Sequence, residues 1–208
     1  MESVARGGTR WKRFAVVMVP SVAATAAIGV ALSQGALAAS FSVSGQSFKV
    51  TTDKLVGNGF VQYGGVDVGV DSDGKKAAHP VAVSGFKNAT ITNMCQSVVT
   101  PDVPLVGTIT LQLNAGGGGT PVKADNLVLD VAQLDTDAEF KNINIGVAAG
   151  SQSKGPKGLK PQDPTSFAQE ADQAVLTDVK QTAWATTAGT FKLSGLSMKL
   201  HKGKKECY

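Results

Sequence analysis

Many short runs of Val, Leu, Ile, Thr and Phe, each closed by Gly, Asn, Asp or Pro, predict a mainly β fold for this chain. The expected form is an antiparallel sandwich or barrel-like sheet with bent strands, a β-solenoid being the alternative, preceded by an N-terminal apolar helix. Composition agrees: of 208 residues, 24 are Gly, 42% are hydrophobic and 17% charged, which supplies a core while excluding a disordered chain, a coiled coil and a polytopic membrane protein. Period-two alternation is explicit in Thr108-Ile109-Thr110-Leu111-Gln112-Leu113, where Ile109, Leu111 and Leu113 share one face.

The N-terminal segment comes first. Arg6, Arg10, Lys12 and Arg13 precede an uncharged stretch over 14–32 and the small-residue run Ala36-Leu37-Ala38-Ala39-Ser40. That order is the pattern of a secretory signal cleaved after Ala38. The stretch of about 19 residues, at about 1.5 Å each, also approaches bilayer thickness, so residues 1–38 are a signal peptide or an uncleaved membrane anchor. Either places residues 39–208 outside the cytoplasm, because the basic flank stays inside.

Residues 39–208 form the expected exported β domain. Strands are predicted at 41–50, 55–63, 66–70, 81–86, 89–92, 108–114, 126–134, 140–147, 175–182 and 190–200. The segment Phe41-Ser42-Val43-Ser44-Gly45-Gln46-Ser47-Phe48-Lys49-Val50 echoes Phe191-Lys192-Leu193-Ser194-Gly195-Leu196-Ser197-Met198-Lys199-Leu200, with a shorter copy at Val83-Ser84-Gly85-Phe86-Lys87. In both long copies the apolar parity shifts after Ser-Gly, which a bulge or Gly kink produces. The first and last strands are therefore expected to be equivalent, bent and near each other. Ala115-Gly116-Gly117-Gly118-Gly119-Thr120 reads as a hairpin connection, since no phosphate-loop context surrounds it. Residues 151–164, rich in Lys and Pro, read as a solvated loop. Ser166 and Gln169 then resemble a capping box that would start a short helix over 167–174.

Cys95 and Cys207 are the only cysteines, and an even count in an exported chain predicts a disulfide joining the tail to the middle of the chain. Two Cys and two His are too few for zinc-finger or iron–sulfur ligation, and no cofactor is expected. Residues 1–38 hold four of the 20 basic and one of the 16 acidic groups, so the remainder carries 16 against 15. No Arg follows Arg13, which removes the planar fork that reads phosphates and bases, and nucleic acid is excluded as a partner.

Little else carries chemistry. No Gly-x-Ser-x-Gly pentapeptide occurs, the nearest piece being Val70-Asp71-Ser72-Asp73-Gly74, and His79 and His201 lack catalytic context, so a serine or cysteine nucleophile is unsupported. Asp67, Asp71, Asp73 and Gly74 suggest a calcium loop only faintly and read as a hydrated turn. Asp130, Asp135, Asp137 and Glu139 read as a solvated face, because a glycosidase pair is defined by separation in space. The run Lys199-Leu200-His201-Lys202-Gly203-Lys204-Lys205-Glu206 either keeps the terminus soluble or touches an acidic polymer or lipid headgroups.

Arg10-Trp11-Lys12-Arg13-Phe14, Gln181-Thr182-Ala183-Trp184-Ala185-Thr186-Thr187-Ala188-Gly189-Thr190-Phe191 and the ending Glu206-Cys207-Tyr208 resemble an actinobacterial family of uncharacterised exported proteins, some members of which carry an automatic cholesterol esterase label. The resemblance spans nearly the whole chain. It implies an envelope setting in a Gram-positive filamentous bacterium, alongside a small membrane protein, and supplies no site residues. The esterase label has no nucleophile motif here to rest on.

The expected function is a noncatalytic structural or interaction protein of the cell envelope, with an envelope or membrane protein, or a lipid, as partner. The alternative is an extracytoplasmic carrier of an apolar ligand such as a lipid. An ester hydrolase with an unconventional site is the third reading.

Overall fold

The computed structural model describes residues 43–44, 46–70 and 75–208. The expected apolar helix over residues 1–38, and Asp71, Asp73 and Gly74, lie outside the described residues.

Ten strands follow in order: β1 (Val43–Ser44), β2 (Phe48–Val70), β3 (Lys76–Thr92), β4 (Met94–Val103), β5 (Gly107–Ala115), β6 (Val122–Lys141), β7 (Asn144–Ala148), β8 (Phe167–Thr187), β9 (Thr190–Lys192) and β10 (Ser197–Lys202). They join one sheet in the order β10-β5-β4-β2-β3-β6-β8-β7, with β1 on β2 and β9 on β6. All pairings are antiparallel except the two-residue contact of β1 with β2. Phe48–Thr52 of β2 also pair with Ala183–Val179 of β8, so the path β2-β3-β6-β8 returns to its first strand. The chain is mainly β, as composition predicts, and its antiparallel ladders differ from the parallel stacking of a solenoid.

Several strands run longer than turn residues suggest, the four segments predicted over 55–92 falling on two strands. Segments 55–63 and 66–70 are one strand because Gly57, Gly59, Gly64 and Gly65 are accommodated within it. Gly57 leaves room for the Phe86 ring, which fills the space a Cβ would take. At Gly59, φ +64°, the buried face passes from Leu55 to Phe60 while the register against β3 stays unbroken. Phe60 then meets Phe86 and Phe140 at centroid distances of 5.4 and 5.2 Å. Around these rings pack Leu55, Ile91, Met94, Val122, Leu127, Leu176 and Val179, all buried.

Three expectations fail. Residues 167–174 are strand, not helix: the Ser166 hydroxyl donates to the Asp163 carbonyl and the Gln169 amide to Gln62, so neither capping group serves a helix. Tertiary burial overrides helical propensity here, with Ala168, Ala171 and Ala174 fully buried under neighbouring strands. Secondly, the echoed segments are not bent strands lying together. In the last copy a turn with Gly195 at φ +64° separates β9 from β10, and β10 is divided from β2 by β5 and β4.

Thirdly, the 151–164 segment is a loop, exposed over much of its length, but it divides no subdomains and straps against the sheet. Gly155 lies on Val61, Pro156 and Leu159 stand over Gly85, and Pro156 is buried. Glu170, 5% exposed, anchors the strap by accepting the backbone N–H groups of Ser153 and Lys154 at 2.8 and 3.0 Å and the Asn144 amide at 3.2 Å. Burial pushes its carboxyl up, but these bonds and the Lys154 charge outweigh it and hold the group below the usual range. Gln162 completes the strap by bonding both the N–H and C=O of Val66, as a neighbouring strand would.

Beyond the β2–β8 ladder, side chains continue its register. Gln173 donates to Asn58 and Asn58 to Asn88, while Gln169 donates to Gln62 and Gln62 to Ser84, at 2.6–2.9 Å. Two amide relays thus cross from β8 over β2 to β3.

Candidate functional site

Two arrangements bring together polar groups distant in sequence, and one side chain touches both. The first lies where β2, β3 and β6 adjoin. Asp67 pairs in register with His79, Tyr63 with Val83, and Val83 with Asp130, so alternation along the strands sets Tyr63, Asp67, His79 and Asp130 on one face. The Asp130 carboxyl is pushed up to about 6 by burial and then by the negative charge of Asp67. Burial also raises Asp67, His79 offsetting part of the effect. The Tyr63 hydroxyl is pushed up to about 12, by burial first and Asp130 second. Buried Oδ2 of Asp67 and Nε2 of His79 have no hydrogen-bond partner among the described residues. Chemically, the group can keep a proton on Asp130 up to about pH 6. The described residues contain no set of three His, Cys, Asp or Glu side chains arranged for a metal ion.

Trp184 links this cluster to the second arrangement. It stands where the β6–β8 register shifts between Val131 and Asp130, and its ring stacks on His79 at 3.5 Å between centroids and 14° between planes. Trp184 also lines an open recess of about 650 Å³ with Gln46, Ser47, Val99, Pro101, Thr108, Gly203, Lys204 and Glu206.

The tail builds one wall of that recess. Cys95 and Cys207 are joined by a disulfide with Cα atoms 6.0 Å apart, as their count predicts. The tail then satisfies polar side chains beneath it: the fully buried Thr110 hydroxyl donates to the Gly203 carbonyl at 2.7 Å and accepts the Lys205 N–H at 3.0 Å, and the Ser97 hydroxyl accepts the Cys207 N–H at 3.0 Å. Glu206 sits between Lys49 at 3.4 Å and Lys204 at 3.0 Å. Though burial raises its carboxyl, the two lysines draw it below the usual range.

Of the residues flagged in the sequence, His79 joins the acidic cluster and His201 lies apart on β10, its Nε2 buried and unpartnered among the described residues. Asp130 leaves its neighbours in the 130–139 run: register breaks along β6 separate it from Asp135, which accepts the Gln133 amide, and from Asp137. The Gly116–Gly119 segment is a connection, with Gly116, Gly118 and Gly119 at positive φ. Sequence reasoning missed Tyr63, Glu170 and Trp184. Strand parity relates Tyr63 to Asp67, but nothing in the sequence relates either to Asp130 or Trp184.

Residues 44–208 match the model of a family of unknown function (DUF6230). No curated protein and no solved structure matches the chain.

Proposed function

We propose that this chain, which belongs to the DUF6230 family of unknown function, is a noncatalytic extracytoplasmic scaffold whose sandwich-like, partly closed sheet presents a rigid interaction surface at the cell envelope. The observation carrying this reading is the tail stapled by Cys95–Cys207, which walls the recess with Lys204 and Glu206. Structural disulfides persist in oxidising compartments, so a surface that depends on one suits a protein working outside the cytoplasm. The aromatic core supports a scaffold over a carrier, since Phe60, Phe86, Phe140 and Leu127 occupy the space between strands where an enclosed lipid would lie. The recess instead is open and lined by both polar and apolar groups.

Mass spectrometry of the native protein from fractionated cells tests the reading. The expected result is a chain in the envelope or secreted fraction, lighter by two hydrogens than its reduced form, with no lipid adduct. A stoichiometric lipid would replace the scaffold with the carrier. Reduced thiols on a cytosolic chain would overturn both.

A further inference from the structure

The turn joining β4 to β5 is apolar at its tip. Val103, Pro104, Leu105 and Val106 occupy it, with Leu105 fully exposed and Val106 about half exposed. Turn chemistry places Gly, Asn or Asp where φ is positive, as at Asp102, φ +52°, yet Leu105 adopts φ +68°. A branched apolar side chain in that conformation costs backbone energy, and Leu105 recovers none of it by burial.

Two lysines stand beside this tip: Lys202 at the end of β10, and Lys205, whose N–H donates to the Thr110 hydroxyl on the opposite face of the sheet. Lys202 pairs with Ile109 and the Gly203 N–H donates to the Thr108 carbonyl at 2.7 Å, bringing the end of β10 beside the tip. Met198 and Leu200, 64% and 70% exposed, alternate with Lys202 on one face of this edge strand. Among the described residues Lys202 and Lys205 enter no ion pair; Asp102 is the acid within the 102–107 turn, and Glu206, which shares the recess with Pro101 and Thr108, is held by Lys49 and Lys204.

We propose that the β4–β5 tip, with Lys202 and Lys205 beside it on the two faces of the sheet, is an end-on docking surface for an anionic lipid bilayer. Leu105 and Val106 enter the interfacial layer while Lys202 and Lys205 meet the headgroups. Apolar side chains framed by cations match such a surface in both hydrophobicity and charge. A second copy of the chain is disfavoured, because its edge would bring lysines against lysines. From the proposed function this inference takes only an envelope setting, and its test does not depend on the scaffold reading.

The full chain is mixed with nanodiscs of phosphatidylglycerol or phosphatidylcholine, and amide exchange is followed over 102–107 and 197–202. Protection of the tip is expected to rise at least about fivefold in the anionic discs over the zwitterionic ones, and each of K202Q and K205Q to weaken binding about fivefold. The double variant Leu105→Ser, Val106→Ser should lose tip protection while core amides stay protected, which separates docking from misfolding. Equal protection in both discs would overturn the proposal. So would the same protection from a soluble polyanion, which indicates a polymer, or protection without lipid that grows with protein concentration, which indicates self-association.

Discussion

A Cβ added to Gly155 would stand 2.5 Å from Cγ2 of Val61, so the 151–164 strap rests directly on β2. Val61 is fully buried by this contact on one side while Phe60, next in the chain, enters the aromatic core on the other. Gly155→Ala should therefore destabilise the protein by about 1–3 kcal/mol through overpacking. Adding Val61→Ala should make the two changes less than additive, because the smaller side chain vacates the space the new methyl needs. Denaturant unfolding of the four forms measures this, and strict additivity would refute the contact.

Glu170 is the strap's polar anchor. Glu170→Ala leaves the N–H groups of Ser153 and Lys154 without their acceptor and should cost about 3 kcal/mol, while Glu170→Gln should cost about half as much. Because the carboxyl is held below its ordinary range in the fold, its contribution is complete above the unfolded-state value and fades as pH falls through the folded one. The difference in melting temperature between wild type and Glu170→Gln should accordingly shrink on acidification.

Asp130 carries the opposite sign. Its folded value, about 6, lies above the unfolded one, so stability is complete below the unfolded value, near 3.8, and declines as pH rises to about 6 and beyond. Asp130→Asn should thus stabilise the protein above pH 6 by about 1 kcal/mol, after discounting for solvent screening of this partly exposed group, and have little effect near pH 4. Asp67→Asn should lower the Asp130 midpoint, which carboxyl chemical shifts followed by NMR would report.

Cutting the staple should have the largest effect. Cys95 and Cys207 are separated by 112 positions, and opening a loop of that size should cost about 4–5 kcal/mol on the chain-entropy model. With both cysteines replaced by Ser, the amides of Lys205 and Cys207, bonded to Thr110 and Ser97, should exchange faster than the core of β3. Unchanged exchange would mean that hydrogen bonds alone hold the tail.

Local sequence signals reached the strands and the staple but not the strap or the site. Alternation over Ile109, Leu111 and Leu113 is a property of neighbouring residues, and β5 spans Gly107–Ala115 around it. The pairing of Cys95 with Cys207 was legible because no other cysteine competes. By contrast, the Lys- and Pro-rich 151–164 segment looks solvated until Glu170, within a helix-like run, supplies the acceptor that seats it. Asp130 looks like one of four surface acids until β3 sets it across from Tyr63 and Asp67.

The chain's own pattern of residues thus determined a mainly β body with its tail bonded to its middle, since alternation and the cysteine count are one-dimensional properties. Strand order, the long β2 that absorbs five glycines, the strap and the coupling of Asp67 to Asp130 were decided only by the folded arrangement. The physical reason is that burial and charge interaction depend on separation in space. Ala168, Asp130 and Gly155 acquire their roles from strands packed beside them, and no adjacent residue announces those strands.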